Sequence, residues 1–192
     1  MLSGQDGFVV TSGGVIWRLA TDVWSLARDT GNETWNDIVC LSASDCWAVG
    51  NSGATVHYTG ASWVESVVPS SANIMAVYAL SPTDIWAAGA NGRFWRYNGS
   101  TWSLHTDSGA QTWNDVYLIS GSSGFAVGSG GAIRRWNGSS WSEVVVTGTT
   151  QNLNTVFCSS ASECWAAGAA GTIVRWTGGT DWSLFTTTGA QT

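Results

Sequence analysis

The chain contains no lysine and two prolines, and only 10% of its 192 residues are charged. Its cations are seven Arg and two His, set against 13 acids for a net charge of −6. That balance repels a phosphate backbone, and the arginines form no basic stripe, which excludes nucleic acid as a partner. No apolar run approaches the roughly 18 residues of a membrane-spanning helix, so membrane insertion is not expected. No signal peptide follows Met1 either: a leader lies outside this sequence, or the protein is not secreted. Enzyme signatures are missing too. His57 and His105 have no matching Cys or Asp/Glu cluster with metal-ligand spacing, and neither a nucleophile elbow nor a phosphate loop is present. The expectation is a non-enzyme without cofactor or metal.

Hydrophobic residues make up 44% of the chain in short runs, which argues against disorder. Fourteen Trp and 24 Gly supply apolar bulk and turns that need positive φ. Their spacing is regular. The segments DGFVVTSGG, DCWAVGNSG, DIWAAGANG, SGFAVGSGG and ECWAAGAAG align on Phe8, Trp47, Trp86, Phe125 and Trp165. The period is therefore 39 or 40 residues, repeated five times, the mark of a repeat architecture. The repeats run approximately over 1–33, 34–73, 74–111, 112–152 and 153–192, and together form a single domain.

Within a repeat, short runs of β-branched and aromatic residues alternate with Gly, Ser and Asn. Repeat four reads WNDVYLIS, GFAVGSGG, AIRRWNGSSW and WSEVVVTG, and no segment carries a 3.6-residue period. Four short antiparallel strands per unit describe a blade of a β-propeller. The spacing predicts a five-bladed, all-β propeller. First strands are expected at Trp35 to Leu41, Ile74 to Leu80, Trp113 to Ile119 and Leu153 to Ser159. Repeat one begins at Met1, near the end of that strand, so its blade lacks a first strand. Three arrangements follow: a ring with one reduced blade, a piece of a longer array, or self-association with a second chain that completes the first blade. Asn98-Gly99 and Asn137-Gly138 predict tight type I′ hairpins between strands three and four. The sequons at Asn32, Asn98 and Asn137 are read as turn chemistry rather than glycosylation.

Columns of equivalent residues recur. Aromatic columns at strand two, at the end of strand three (Leu19, Tyr58, Tyr97, Trp136, Trp176) and at strand four (Trp24, Trp63, Trp102, Trp141, Trp182) are read as inter-blade core. A cation column, Arg18, His57, Arg96, Arg135 and Arg175, accompanies an acidic one, Asp6, Asp45, Asp84 and Glu163, which Ser123 interrupts. A structural pair in each blade accounts for both, with bidentate geometry or stacking favouring Arg over Lys. Arg134 is the odd member of its own column, which otherwise holds Trp17, Val56, Trp95 and Val174.

The pattern D-x-W-A-x-G-x-x-G followed by W-N-G-S-x-W resembles bacterial extracytoplasmic propeller repeats related to Asp-box and photosystem-assembly-factor propellers. CLSASDCWAVG is similar to a Cys-paired form of such repeats. The resemblance covers essentially the whole chain and implies a propeller fold, but little about activity. NGSTW and NGSSW lack the Asp-x-Gly spacing of a true Asp box.

Cys40 and Cys46 share their spacing and place in the repeat with Cys158 and Cys164. Two local disulfides suit this better than a zinc site, which would need pairs brought together from two repeats. They would imply an oxidising, extracytoplasmic compartment. Buried free thiols are the other reading.

Candidate ligand residues sit where first strands begin: Trp35, Asn36 and Asp37, then Trp113, Asn114 and Asp115, then Asn154 with Thr155. A ring to stack on beside a short polar fork is what a sugar site uses. Ile74 and Leu153 share the Trp column, so burial explains it equally well, and Asn and Asp serve ordinary turns. The function expected is a binding module for glycans, multivalent over one face. A protein-interaction or assembly scaffold is the alternative, with exposed repeat-specific residues such as Arg134 or Met75. A glycosidase, with arginines gathered on a substrate carboxylate, stands third.

Overall fold

The computed structural model describes residues 6–107 and 109–185. It is all β, with no α-helix among these residues and five successive antiparallel sheets, each a blade. Blade one has three strands, β1 (Asp6–Val10), β2 (Val15–Ala20) and β3 (Val23–Asp29). Blade two has β4 (Trp35–Ser42), β5 (Asp45–Gly50), β6 (Thr55–Tyr58) and β7 (Trp63–Glu65). Blade three has β8 (Ile74–Ser81), β9 (Asp84–Gly89), β10 (Arg93–Tyr97) and β11 (Trp102–Asp107). Blade four has β12 (Trp113–Ser120), β13 (Ser123–Gly128), β14 (Ile133–Trp136) and β15 (Trp141–Val144). A two-residue strand, β16 (Val146–Thr147), precedes blade five, with β17 (Leu153–Ser160), β18 (Glu163–Gly168), β19 (Ile173–Trp176) and β20 (Trp182–Leu184). The first-strand remnant expected from Met1 lies outside the described residues.

Alternation within each strand gives every blade two apolar faces, so a lone blade cannot hide both from water. One face packs on the preceding blade and the other on the following one. Between blades three and four, for example, Trp86, Ala88 and Phe94 meet Trp113, Val116, Ala126, Trp136 and Trp141. First strands form the inner edge, where β4 packs on β8, β8 on β12 and β12 on β17; in blade one β1, the equivalent of strand two, packs on β4. Among the described residues, no comparable packing joins β17 back to blade one.

The glycine that ends W-A-x-G has a specific steric cause. A Cβ on Gly50, Gly89, Gly128 or Gly168 would collide with the carbonyl oxygen just before that blade's first strand, on Thr34, Asn73, Thr112 or Asn152. The same carbonyl accepts the next backbone N–H, from Asn51, Ala90, Ser129 or Ala169, at 2.8 to 3.0 Å. Each glycine thus lets the turn after strand two hold the connection that leads into strand one.

Two local expectations are corrected. The Asn-Gly hairpins are not type I′. Tyr97 pairs with Trp102, leaving a four-residue loop, and only Gly99 of the Asn98-Gly99 pair has positive φ. The Asn98 side chain organises the loop instead, its Oδ1 accepting from the N–H groups of Ser100 and Thr101, both at 3.0 Å. Asn137 does the same for Ser139 and Ser140. The run WSEVVVTG is also not one strand. Trp141–Val144 pairs with β14, and Val146–Thr147 crosses to the next blade and runs parallel to β20. A β-branched run this long has enough extended backbone to edge two sheets.

Candidate functional site

Each first strand begins with a register shift against strand two, between Trp35 and Asp37, Ile74 and Ala76, Trp113 and Asp115, and Leu153 and Thr155. Asp37 and Asp115 lie at the end of these shifts, and each serves two blades. Asp37 accepts from its neighbour Ile38 N–H through Oδ1 and from Val77 N–H of blade three through Oδ2, both at 2.8 Å. Asp115 accepts from Val116 N–H and from Val156 N–H of blade five, again at 2.8 Å, and from the Thr155 hydroxyl at 3.0 Å. The intervening blades carry Ala76 and Thr155 at this position. Two carboxylates in alternate blades therefore satisfy the equivalent N–H of four blades.

The asparagines follow the same scheme. Asn36 donates to the Ile74 carbonyl at 2.7 Å and to Asn51 Oδ1 at 2.9 Å, with Met75 Sδ at 3.7 Å. Asn114 donates to the Leu153 carbonyl at 2.8 Å. Trp35 and Trp113 are buried, at 4% and 1% exposure. Trp35 donates its indole N–H to the Gly14 carbonyl, and Trp113 packs between Phe94 and the Arg134 guanidinium.

These contacts bear on the expected sugar site. A ring buried in an inter-blade joint has no face for a sugar to stack on, and the polar forks are engaged by neighbouring blades. Only Asn154, with Thr155, lies exposed. Spacing along the chain could not separate the two roles, because the decisive partners lie about 40 residues away. Arg134 is also not an exposed contact: it is buried and lies 3.6 Å from Glu143.

Burial sets the electrostatics here. It pushes the Asp37 carboxyl up to about 6 against the lowering effect of its two N–H donors, and the Asp115 charge adds to the rise. The Asp115 carboxyl is raised by the same cause. Burial, then the charge on Arg96, lowers His105.

The cation column pairs as its spacing suggests, with one exception. Arg18 lies 3.7 Å from Asp6, His57 2.8 Å from Asp45, and Arg175 2.7 Å from Glu163. Arg96 meets Asp84 through two bonds, at 2.8 and 3.0 Å. In blade four the acid is replaced by Ser123. Half-buried Arg135 lies over Trp176 at 5.1 Å and Phe125 at 5.9 Å, with no carboxylate among the described residues at ion-pair distance.

The cysteines are joined as Cys40–Cys46 and Cys158–Cys164. Each pair stands directly opposite across the hairpin between strands one and two. Among the described residues, no group of three or more His, Cys, Asp or Glu is arranged to hold a metal.

No family model and no curated protein sequence matches the chain. Solved structures do. It is similar to the structure titled "YCF48 bound to D1 peptide", with TM-score 0.71 and 17% identity, over 94% of this chain and 65% of that one. YCF48 from Cyanidioschyzon merolae gives 0.69 and 16%, over 90% and 66%. The C-terminal WD40 domain of Sif2 gives 0.69 and 11%, over 94% and 56%. At these identities the likeness shows the β-propeller fold alone. The chain spans less than two thirds of the length of each of these structures.

Proposed function

We propose that the chain is a non-enzymatic protein-interaction scaffold that presents blade four to a carboxylate of a partner protein. Arg135 carries this reading. All five cations of the column lie against aromatic rings, and four of them also face an acid of their own blade, whereas Arg135 has Ser123 in place of that acid. A guanidinium held on a ring is pre-organised for a carboxylate that the protein itself does not supply. The fold likeness to a protein solved with a bound peptide supports a protein partner. A glycan partner loses support with the burial of Trp35 and Trp113. The two disulfides favour an oxidising, extracytoplasmic setting, in keeping with the repeats that the sequence resembles.

The net charge of −6 restricts the partner to an isolated carboxylate, because an acid-rich tract would be repelled. The test is an array of synthetic peptides bearing none, one or several Asp or Glu, with glycans on the same surface, probed with the intact, non-reduced protein. Single-carboxylate peptides should be retained, and Arg135→Ala should weaken them about tenfold or more, the effect of losing one charged hydrogen bond. Glycan capture that survives Arg135→Ala would overturn the reading.

A further inference from the structure

One column of each blade sets a strand-three residue directly opposite a strand-four residue, and the pairs match in chemistry except in blade two. Trp17 stands opposite Leu26, Trp95 opposite Leu104 and Val174 opposite Leu184, all apolar pairs. Arg134 stands opposite Glu143, a cation against an acid. In blade two, Val56 stands opposite Glu65 and offers it nothing to bind.

That mismatch borders a hollow of about 360 Å3 between blades one and two, with Arg28, Glu33, Trp35, Val56 and Glu65 in its walls. Every lining residue falls within 28–70, in these two blades and their connections. The joint between blades three and four shows what occupies the equivalent space. There Trp113 opens the first strand as Trp35 does, and Arg134 fills the joint. Its guanidinium lies 5.3 Å from the Trp113 ring and 3.6 Å from Glu143, while the Phe94 ring comes within 5.4 Å of Trp113. The joint between blades one and two has Val56 in the place of Arg134 and Ile16 in the place of Phe94. Both are shorter, and the space stays open.

The walls also carry an excess of negative charge. Arg28 of blade one reaches Glu65 at 3.2 Å, one cation for two acids. Glu33 has no cation at ion-pair distance among the described residues, and its buried Oε2 accepts no hydrogen bond there. A buried acceptor without a donor is costly, which favours a ligand that brings one.

We infer that this hollow binds a guanidinium group supplied from outside the chain, seated where Arg134 sits in blade four, with Glu33 and Glu65 as its carboxylates. The planar fork of a guanidinium suits paired acceptors better than an ammonium does, and blade four already uses it in this place. Trp35, 4% exposed, is a wall of the site rather than a platform for stacking. The volume suffices for a small ligand or one long side chain. Two sources share this chemistry, a free arginine-like molecule and an arginine side chain of a partner protein.

The test is calorimetric titration of the intact, non-reduced protein with free arginine, with end-capped Gly-Arg-Gly and with citrulline, the neutral isostere. An arginine probe should bind saturably and citrulline should not. Uptake of free arginine alone assigns a small molecule, and uptake of the peptide assigns a partner's side chain. Glu33→Gln should weaken binding about tenfold or more, the effect of losing one charged hydrogen bond. Val56→Arg puts blade four's own cation into the hollow and should abolish binding, with circular dichroism to show that the fold is kept. If that variant does not fold, Glu33→Gln decides. No uptake of either arginine probe at millimolar concentration would overturn the inference. So would equal uptake of citrulline, or binding that Glu33→Gln or folded Val56→Arg leaves unchanged. Arg135 lies in another joint, so its peptide array reads separately.

Discussion

Val156 N–H of blade five donates to Asp115 Oδ2 of blade four at 2.8 Å, while the other oxygen of the same carboxyl takes Val116 N–H of its own blade. One side chain thus stitches two first strands at the inner edge. Asp115→Ala should leave two backbone donors and the Thr155 hydroxyl without their acceptor, at a cost of about 2–4 kcal/mol in denaturant unfolding. Thr155→Ala, which removes only the hydroxyl contact, should cost about 1 kcal/mol or less. Equal effects would show that the stitch does not bear on stability.

Stability should fall as pH rises from about 4 to about 6. The Asp37 carboxyl stands near 6 in the folded chain, above its ordinary 3.8, so the folded state holds more protons across that window. What the neutral form contributes is complete below about pH 4 and is lost as pH passes about 6, up to about 3 kcal/mol. Other carboxyls titrate there too, so the quantity to measure is the difference between wild type and Asp37→Asn at each pH. A difference that does not change with pH would refute the assignment.

Two tryptophans of one column should respond differently to the same substitution. Trp86 is fully buried beneath Trp136 and Trp141, and Trp86→Ala should cost about 3–5 kcal/mol. Trp165 is only half-buried, with no following blade over it among the described residues, so Trp165→Ala should cost about 1–2 kcal/mol. Comparable losses would mean that the blade-five face is covered.

Non-reducing peptide mapping should recover Cys40 linked to Cys46 and Cys158 linked to Cys164. Opening either short loop should lower stability by about 2 kcal/mol in the chain-entropy model. Four free thiols in protein secreted into an oxidising medium would contradict both the linkage and the proposed compartment.

Much of this chain was legible because a repeat states its own grammar several times. The aromatic columns, the strand order and the four first strands follow from period and alternation, which are local properties of the backbone. The Asp and Asn at strand starts were visible as a motif, but their role was not. Asp37 and Asp115 looked like ligand residues because each stands beside an Asn and a Trp, a polar fork next to a ring. One oxygen of each carboxyl takes the amide of the next residue, but the other takes an amide of the next blade, placed within reach only when blades pack.

Sequence by itself determined the repeat, the sheet-forming runs, the glycine turns and the side chains that point to alternate faces. Tertiary structure alone decided which faces are covered. Burial is a property of neighbours: the same column is core at Trp86, which has a following blade, and half-open at Trp165, which has none among the described residues.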